Sequence, residues 1–288
     1  MRNLKKRYLI TLVLLYSVSS LLTADEISFA TLPLENPDKI FREMRPFLNY
    51  LEKSVNETIK LKYYEDYAEI LQKFTEGSID LVLLGPLPYI HLYEMYPQAV
   101  PVVQFLNKDG DSTYTCSLIT GAESGFTTLD QLKGKRIALT QPLSTCGYIT
   151  VNNFLLEGGF SLADTMYKYL GSHQEVVLSV LRHEFAAGGV KTSIVKMYEH
   201  LGIRILGESD PLPGFTLVAN SETLDTLQIE KIRLSLLDLK PLQNNFQKNL
   251  TSTWGDIVKY GAINTSNKAY NKVRFLIKDV IIPQKGNF

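Results

Sequence analysis

Several motifs that carry chemistry are missing from this chain of 288 residues. The four histidines, His91, His173, His183 and His200, are scattered without metal-ligand spacing, and the two cysteines form no CxxC motif. The chain has no GxSxG nucleophile elbow and no ATPase motif. Basic and acidic residues both number 30, so no excess of positive charge favours a nucleic acid. The sequence therefore predicts no cofactor, no metal site and no nucleic-acid partner, whereas a Ser-His-Asp site without that elbow stays an open alternative.

The N-terminal segment has the pattern of a signal peptide. Basic residues within 2–7 precede an apolar run over 8–22, which is too short for a comfortable membrane span. We predict a signal peptide over 1–24, cleaved after Ala24 or after Ser20, with an uncleaved anchor as the alternative. Both interpretations place the rest of the chain in the periplasm or in another extracytoplasmic compartment. No cysteine directly follows the apolar run, so a lipid-anchored form is not expected.

Strands and helices alternate at short spacing in the first part of the chain. Apolar stretches predict strands over 27–32, 59–64 and 79–84. Asn36-Pro37 and Asp66 start the intervening helices, because Asn and Asp cap well and proline fits a first turn. The third strand is apolar throughout, which is typical of the middle of a parallel sheet. This alternation predicts βαβ units and therefore an α/β fold.

The second part of the chain repeats this architecture without repeating the sequence. Its predicted elements are strands over 114–120, 136–140, 203–206 and 215–219 and a helix over 173–182. The simplest interpretation is a clamp of two α/β lobes, each a mainly parallel sheet with flanking helices. Two strands, near 114–117 and 210–215, would cross between the lobes. A ligand would then lie between the lobes, at the carboxyl ends of the sheets.

These crossings divide the chain into segments. Residues 25–115 would form the first part of lobe one, and 116–213 would form lobe two. Residues 214–288 would complete lobe one and add the C-terminal helices. A chain of this length can supply each lobe with a core of its own.

One segment has the features of an anion-binding site. A predicted strand is followed by a turn at Gln141-Pro142, and Ser144 is placed to cap the next helix. The first amides of a helix lack an intrahelical acceptor and carry partial positive charge, so those of Thr145, Cys146 and Gly147 suit a tetrahedral oxyanion. Taken alone, these residues are better explained as an ordinary N-cap. The order of the other motifs along the chain favours the anion site instead.

Five weak motifs occur in one order along the chain. They are Asp66-Tyr67-Ala68, the strand and turn over 79–89 that end in Gly85-Pro86-Leu87-Pro88-Tyr89, residues 132–138, Ser144-Thr145-Cys146-Gly147, and the helix start over 171–177. Through them the chain resembles the periplasmic substrate-binding proteins of phosphonate, phosphite and phosphate ABC transporters. The resemblance covers roughly residues 27–239. Members of that family fold as two-lobed clamps, which agrees with the pattern of strands and helices.

The resemblance implies a function and partners. The protein would be a monomeric, non-catalytic receptor that captures a small phosphorus oxyanion and delivers it to an ABC permease, with the ATPase on another chain. One alternative is a sensor of the same fold that signals to a membrane kinase, and another is a receptor for a different oxyanion such as a sulfonate. A hydrolase or transferase using His173 and Ser144 is disfavoured, since no second carboxylate or metal site accompanies them.

The resemblance also implies a set of ligand-binding residues. Ser144 and Thr145 would offer hydroxyls and backbone amides to the phosphoryl group, and His173 would donate from its ring. Tyr89 would either face the ligand or only brace its turn. The full expected set is Tyr67, Tyr89, Tyr114, Ser144, Thr145, Cys146, Gly147, His173, Ser193 and Phe215.

Two positions depart from the family pattern. Members that bind aminoalkylphosphonates carry carboxylates where this chain has Ser193 and Phe215. A buried ammonium needs a paired charge. We therefore predict that aminoethylphosphonate is not the preferred ligand, and that methylphosphonate, phosphite or a ligand with an apolar substituent binds better. Asp210 would supply the charge only if the alignment were shifted.

The two cysteines allow two states. Cys116 lies on the first predicted crossing strand and Cys146 at the predicted anion site, and the compartment is oxidising, so a disulfide is conceivable. The family, however, keeps a small polar residue facing the ligand at the position of Cys146. We therefore favour free thiols, with that of Cys146 reactive at a helix N-terminus.

Overall fold

The computed structural model describes residues 26–34, 36–278 and 280–288. The predicted signal peptide and its cleavage sites lie outside the described residues. Within these ranges, none of the helices combines the length and the apolar character that crossing a bilayer requires.

The strands and helices alternate along the chain. The strands are β1 (Ile27–Thr31), β2 (Ile59–Lys62), β3 (Leu81–Leu84), β4 (Ala99–Phe105), β5 (Thr113–Tyr114), β6 (Cys116–Gly121), β7 (Arg136–Leu139), β8 (Met166–Tyr169), β9 (Ala187–Lys191), β10 (Ile203–Glu208), β11 (Leu212–Pro213), β12 (Thr216–Asn220) and β13 (Ala262–Ile263). The helices are α1 (Pro37–Val55), α2 (Tyr67–Thr75), α3 (Pro86–Met95), α4 (Tyr148–Glu157), α5 (His173–Leu181), α6 (Thr192–Val195), α7 (Thr226–Leu237), α8 (Asn245–Thr251) and α9 (Asn271–Ile277).

Two sheets form the centres of two lobes. Among the described residues, six strands form the sheet of the first lobe in the order β13-β4-β12-β3-β1-β2. Five strands form the sheet of the second lobe in the order β10-β6-β9-β7-β8. The short strands β5 and β11 pair with each other, with Tyr114 opposite Leu212 and Thr113 opposite Pro213. The fold is therefore the predicted two-lobed α/β clamp with two crossing strands.

The sheets are mixed, which corrects the expectation of mainly parallel pairing. Strands β1 to β4 share one direction, but β12 lies between β3 and β4 and runs against both. In the second lobe β6 likewise runs against its neighbours β9 and β10. Both reversed strands come directly from a crossing. They enter at the carboxyl ends of their neighbours, since Thr216 pairs with Leu84 and Cys116 pairs with Lys191.

Two of the predicted helix starts are confirmed. The side chain of Asn36 accepts a hydrogen bond from the amide of Lys39 at 2.9 Å. The carboxylate of Asp66 accepts from the amides of Ala68 and Glu69 at 2.7 and 3.1 Å. Each cap satisfies donors that the helix itself cannot.

Helix α4 begins later than the sequence predicts. Its N-cap is Gly147, which makes no side-chain cap bond, so the prediction that Ser144 caps this helix is wrong. The ψ angle of Gly147 is −122°, which is not helical. The amide of Gly147 donates to the carbonyl of Ser144 at 3.0 Å. Residues 144–147 therefore form a turn in front of the helix rather than its first turn.

Each lobe has its own packing against its sheet. In the first lobe, Phe47 of α1 makes edge contacts with Phe29 of β1 and with Trp254, at ring-centroid distances of 6.2 and 5.3 Å. In the second lobe, α4 and α5 cover opposite faces of the sheet, through Val151 and Val176 respectively. Buried side chains on both faces are typical of a central sheet in an α/β protein.

The last residues pack on the second lobe. The amide of Asn287 donates to the carbonyl of Tyr167 at 3.0 Å, and the amide of Tyr167 donates to Asn287 Oδ1 at 2.7 Å. The hydroxyl of Tyr169 donates to the carbonyl of Pro283 at 2.8 Å. Placing all of 214–288 with lobe one is therefore wrong for this tail. Strand β8 is an edge strand, and the tail satisfies backbone groups that the sheet leaves unpaired.

The cysteines form a disulfide, so the expectation of free thiols is wrong. The Cys116 and Cys146 sulfurs are bonded, and their Cα atoms lie 5.1 Å apart. Close packing of the turn onto β9 brings them together. A Cβ atom added at Gly189 of β9 would lie 2.5 Å from the carbonyl oxygen of Cys146. Only a glycine lets the turn approach the sheet this closely.

Candidate functional site

A small cavity lies between the lobes, with about 290 Å³ of empty space including its open mouth. Leu32 and Gly85 directly follow β1 and β3, and Lys191 is the last residue of β9, so the cavity lies at the carboxyl ends of strands from both sheets. Its lining is Leu32, Leu34, Tyr67, Gly85, Pro88, Tyr114, Ser144, Thr145, Cys146, His173, Lys191 and Phe215.

The structure brings most of the expected site residues together. Seven of the ten line this cavity, namely Tyr67, Tyr114, Ser144, Thr145, Cys146, His173 and Phe215. Cys146 contributes no thiol, because its sulfur is bonded to Cys116. Gly147 is outside the lining and uses its amide within the turn. Ser193 is exposed and lines a second, wider cleft.

Tyr89 belongs to the supporting structure of the first lobe. Its side chain is fully buried, and its hydroxyl donates to Asn267 Oδ1 at 3.3 Å. Its ring lies 4.6 Å from that of Tyr270. Tyr89 is absent from the cavity lining, so it braces the turn after β3 instead of facing the cavity.

Several helix N-termini converge on the cavity. Tyr67 is the first residue of α2, His173 is the first residue of α5, and Gly85 is the N-cap of α3. These termini carry partial positive charge and exposed donors, which favour an anion. The local sequence explains two of them, since Asp66 and Ser172 cap α2 and α5 through their side chains.

The lobes touch through residues of this site. The amide of Leu87, at the start of α3, donates to Thr145 Oγ1 of the second lobe at 3.1 Å. The side chain of Gln141 accepts from the amide of Tyr67 at 3.2 Å and donates to the carbonyls of Glu65 and Gly171 at 3.4 and 3.2 Å. The clamp is thus held closed by hydrogen bonds that cross directly between its lobes.

His173 is held as a neutral hydrogen-bond donor. Its Nδ1 accepts from the amide of Lys191 at 3.2 Å, which places the ring proton on Nε2. Burial and then the charge of Lys191 lower the pKa of His173 to about 4. At neutral pH the ring therefore offers one N–H without adding charge to the cavity.

Tyr67 and Tyr114 are also neutral hydrogen-bond donors. Burial is the main cause that raises the pKa of Tyr67 and that of Tyr114 well above the ordinary value for tyrosine. A hydrogen bond with the side chain of Thr145 acts in the opposite direction on Tyr114 and is the smaller effect. Both phenols therefore keep their protons under physiological conditions.

Lys191 is the charged lining residue that sequence reasoning missed. Its ammonium lies 5.3 Å from the ring centroid of Tyr114 and 5.3 Å from that of Phe215. Burial lowers the pKa of Lys191 to about 8, and the carboxylate of Asp256 opposes that shift. The group is therefore mostly charged at neutral pH. Its position at the carboxyl end of a strand, next to the expected anion site, is the signal that could have identified it.

A wider cleft continues outward from the cavity, with about 990 Å³ of empty space including its open side. The two share five lining residues, which are Leu32, Leu34, His173, Lys191 and Phe215. The carboxylates in the cleft are already paired. Glu43 lies 3.9 Å from the ammonium of Lys39, and Asp256 lies 2.5 Å from that of Lys259.

The cavity has the chemistry of an oxyanion site. Hydroxyls, an imidazole N–H and one ammonium surround it, and the described side chains that line it include no carboxylate. Such a set of donors recognises an anion by hydrogen bonds. Together, the fold and the cavity define a two-lobed clamp with a donor-rich cavity between its lobes.

Comparison with known proteins places this clamp in a family. The model of the family described as "ABC transporter, phosphonate, periplasmic substrate-binding protein" matches residues 29–267. The chain therefore belongs to the phosphonate periplasmic substrate-binding proteins of ABC transporters.

Individual relatives are distant in sequence and similar in fold. The phosphate-import protein PhnD of Mycolicibacterium smegmatis is 24% identical over 226 residues, which are 73% of this chain and 70% of that protein. The phosphonates-binding periplasmic protein of Escherichia coli is 23% identical over 232 residues, 74% of this chain and 68% of the relative. The structure of PhnD1 from Prochlorococcus marinus in complex with methylphosphonate aligns with a TM-score of 0.76, at 16% identity, covering 88% of this chain and 97% of the other.

Proposed function

We propose that this protein is a non-catalytic extracytoplasmic receptor that captures a small phosphorus oxyanion between its lobes and delivers it to an ABC permease. The observation that carries the proposal is the cavity at the strand ends, which is rich in donors and has no carboxylate among the described residues that line it. Membership of a substrate-binding family supports it, as do the phosphate and methylphosphonate in the names of two relatives. The ATPase and permease would be separate chains.

Each group in the cavity has a role in this function. Ser144 and Thr145 donate their hydroxyls to phosphoryl oxygens, and His173 donates from Nε2. Tyr67 and Tyr114 donate from the first lobe and the crossing. In the closed clamp Thr145 Oγ1 accepts from the amide of Leu87, so ligand contact and lobe closure share one side chain.

The cellular context follows from the same proposal. Residues 1–24 direct export, and the mature chain acts as a monomer in the periplasm. The first lobe comprises 25–115 and the part after 213 that precedes the tail, and the second lobe comprises 116–213. A sensor that signals to a membrane kinase would use the same clamp. Permease and ATPase genes beside this one would favour transport, and a kinase gene there would favour sensing.

Sulfonates are a second candidate class. The alkanesulfonate-binding protein from Xanthomonas axonopodis aligns with a TM-score of 0.62 at 16% identity, which indicates a related fold. A sulfonate cannot donate a hydrogen bond, whereas a protonated phosphonate can. Titration with matched methyl compounds therefore separates the two classes.

The test is isothermal titration calorimetry with methylphosphonate, phosphite, phosphate and methanesulfonate. We expect a phosphorus compound to bind best, and Ser144→Ala and Thr145→Ala each to weaken it about tenfold or more, because a hydrogen bond to a charged group is worth about 1.5–3 kcal/mol. Ser193→Ala, outside the small cavity, is the matched control. Unchanged affinity in the Ser144→Ala/Thr145→Ala double variant contradicts the site, and preference for methanesulfonate contradicts the ligand class.

A further inference from the structure

The ammonium of Lys191 is a charge without a counter-ion. Its close contacts are the faces of Tyr114 and Phe215, at 5.3 Å from each ring centroid. Within the described ranges, no carboxylate lies within ion-pair distance of it. Aromatic faces attract a cation only modestly, so they hold the group in place without neutralising it.

The neighbouring titratable groups do not supply the missing charge. His173, which accepts the backbone N–H of Lys191, is neutral. Across the wider cleft, Glu43 is paired with Lys39 and Asp256 with Lys259. Asp256 attracts the ammonium from a distance, but its oxygen is in contact with the other lysine. The cavity and its mouth therefore carry one uncompensated positive charge.

Lys191 lies where the substituent of a bound phosphonate would leave the cavity. It lines both the small cavity with Ser144, Thr145 and His173 and the wider cleft with Ser193. An oxyanion held by the small cavity would direct its substituent past this ammonium. The 990 Å³ of space in the cleft provides room for that substituent.

The phenyl ring of Phe215 also indicates that the substituent of the ligand is not a cation. An ammonium on the ligand would need a carboxylate near this position, and the phenyl ring supplies none. The ring instead supports an ammonium that belongs to the protein. A ligand ammonium would meet a like charge there, and an uncharged substituent would leave Lys191 unpaired, which is costly for a partly buried charge.

We propose that the ligand is a phosphonate that bears a second anionic group, such as a carboxylate one or two carbons from phosphorus, and that Lys191 pairs with that group. This inference rests on the proposed function, because it takes the phosphoryl group to occupy the small cavity. Lys191 is then the residue that selects the substituent, whereas Ser144, Thr145 and His173 select the phosphoryl group.

The experiment is a calorimetric titration of the wild-type protein with phosphonoacetate, methylphosphonate and 2-aminoethylphosphonate. We expect phosphonoacetate to bind at least about tenfold more tightly than methylphosphonate, in line with a charge-assisted hydrogen bond. The amino compound should bind most weakly. In Lys191→Met the preference for phosphonoacetate over methylphosphonate should disappear, because the affinity for phosphonoacetate should fall about tenfold more than that for methylphosphonate. Lys196→Met is the control, since Lys196 is exposed at the end of α6.

The outcomes separate this inference from the function on which it rests. Equal affinities of the wild type for phosphonoacetate and methylphosphonate overturn the inference and leave the proposed function standing. An equal loss for both ligands in Lys191→Met overturns it as well, because Lys191 would then contact the phosphoryl group. If the wild type binds none of the three compounds, the inference fails, and the titrations with phosphite and phosphate then decide the proposed function. The wild-type panel decides the question even if the variant does not fold.

Discussion

The disulfide between Cys116 and Cys146 should contribute strongly to stability. It closes a loop with a sequence separation of 30 residues. In the chain-entropy description, a cross-link over a loop of this size removes about 3.6 kcal/mol of denatured-state entropy at 25 °C. Folded domains are stable by only about 5–15 kcal/mol, so this is a large share of the total. We expect the Cys116→Ala/Cys146→Ala double variant to lose about 3–4 kcal/mol.

The assay is chemical denaturation of the wild type, both single variants and the double variant. Each single variant already breaks the cross-link, so each should lose nearly as much stability as the double variant. If the sulfurs acted only as separate buried side chains, the two single losses would add up to that of the double variant. Such additivity would refute the cross-link argument. Thiol labelling of the unfolded wild-type protein should give no labels without reductant and two with it.

The disulfide should also affect ligand binding. Cys146 lies between Thr145 and Gly147 in the turn that lines the cavity, and Cys116 opens the strand that follows the first crossing. Without the bond the turn must be ordered at the expense of binding energy, so affinity should fall several-fold in the variants. An unchanged affinity would mean that packing alone orders the turn.

Two further predictions follow from the surroundings of the cavity. Gly189→Ala should cost about 1–3 kcal/mol of stability in a denaturation experiment and weaken ligand binding, because the new Cβ would lie 2.2 Å from Val151 Cγ2. The control is Gly121→Ala, where the nearest contact of the new Cβ would be 3.8 Å. Equal effects of the two substitutions would contradict the packing argument. The affinity for phosphonoacetate should fall by about tenfold in total as the pH rises through about 8, because the Lys191 ammonium loses its proton there. His173 stays neutral in that range, and the fall for phosphonoacetate relative to methylphosphonate should be absent in Lys191→Met.

Much of the fold follows from local patterns in the sequence. Asn36 and Asp66 start helices because their side chains accept backbone N–H groups a few residues away, so a short stretch of sequence contains the whole interaction. Strand β3 is predictable because Leu81–Leu84 is apolar on both faces and every residue is buried. The two crossings were predictable to within a few residues, since each lies next to a strand with clear bounds.

Part of the site was predictable for a related reason. Ser144 and Thr145 stand just after a predicted strand, and the carboxyl ends of parallel strands lie at one edge of a sheet. His173 stands at the start of a predicted helix. The resemblance to the family added Tyr67 and Tyr114, which the structure places in the same cavity. Tyr89 belongs to a matching motif but is turned into the core, because its direction depends on the packing of α3 rather than on the motif.

The remaining features depend on residues that are far apart in sequence. The disulfide forms because Gly189 of a third segment lets the turn approach β9, and no local pattern in either cysteine's neighbourhood contains that information. The tail at Asn287 finds an unpaired sheet edge more than a hundred residues earlier in the chain. Lys191 resembles an ordinary strand-end lysine until the crossings bring Tyr114 and Phe215 to its ammonium. The sequence by itself thus determined many of the strands and helices, their order and part of the polar strand ends, since those interactions are local. The charge, the cross-link and the shape of the cavity were decided by tertiary packing, because each arises where separate segments meet.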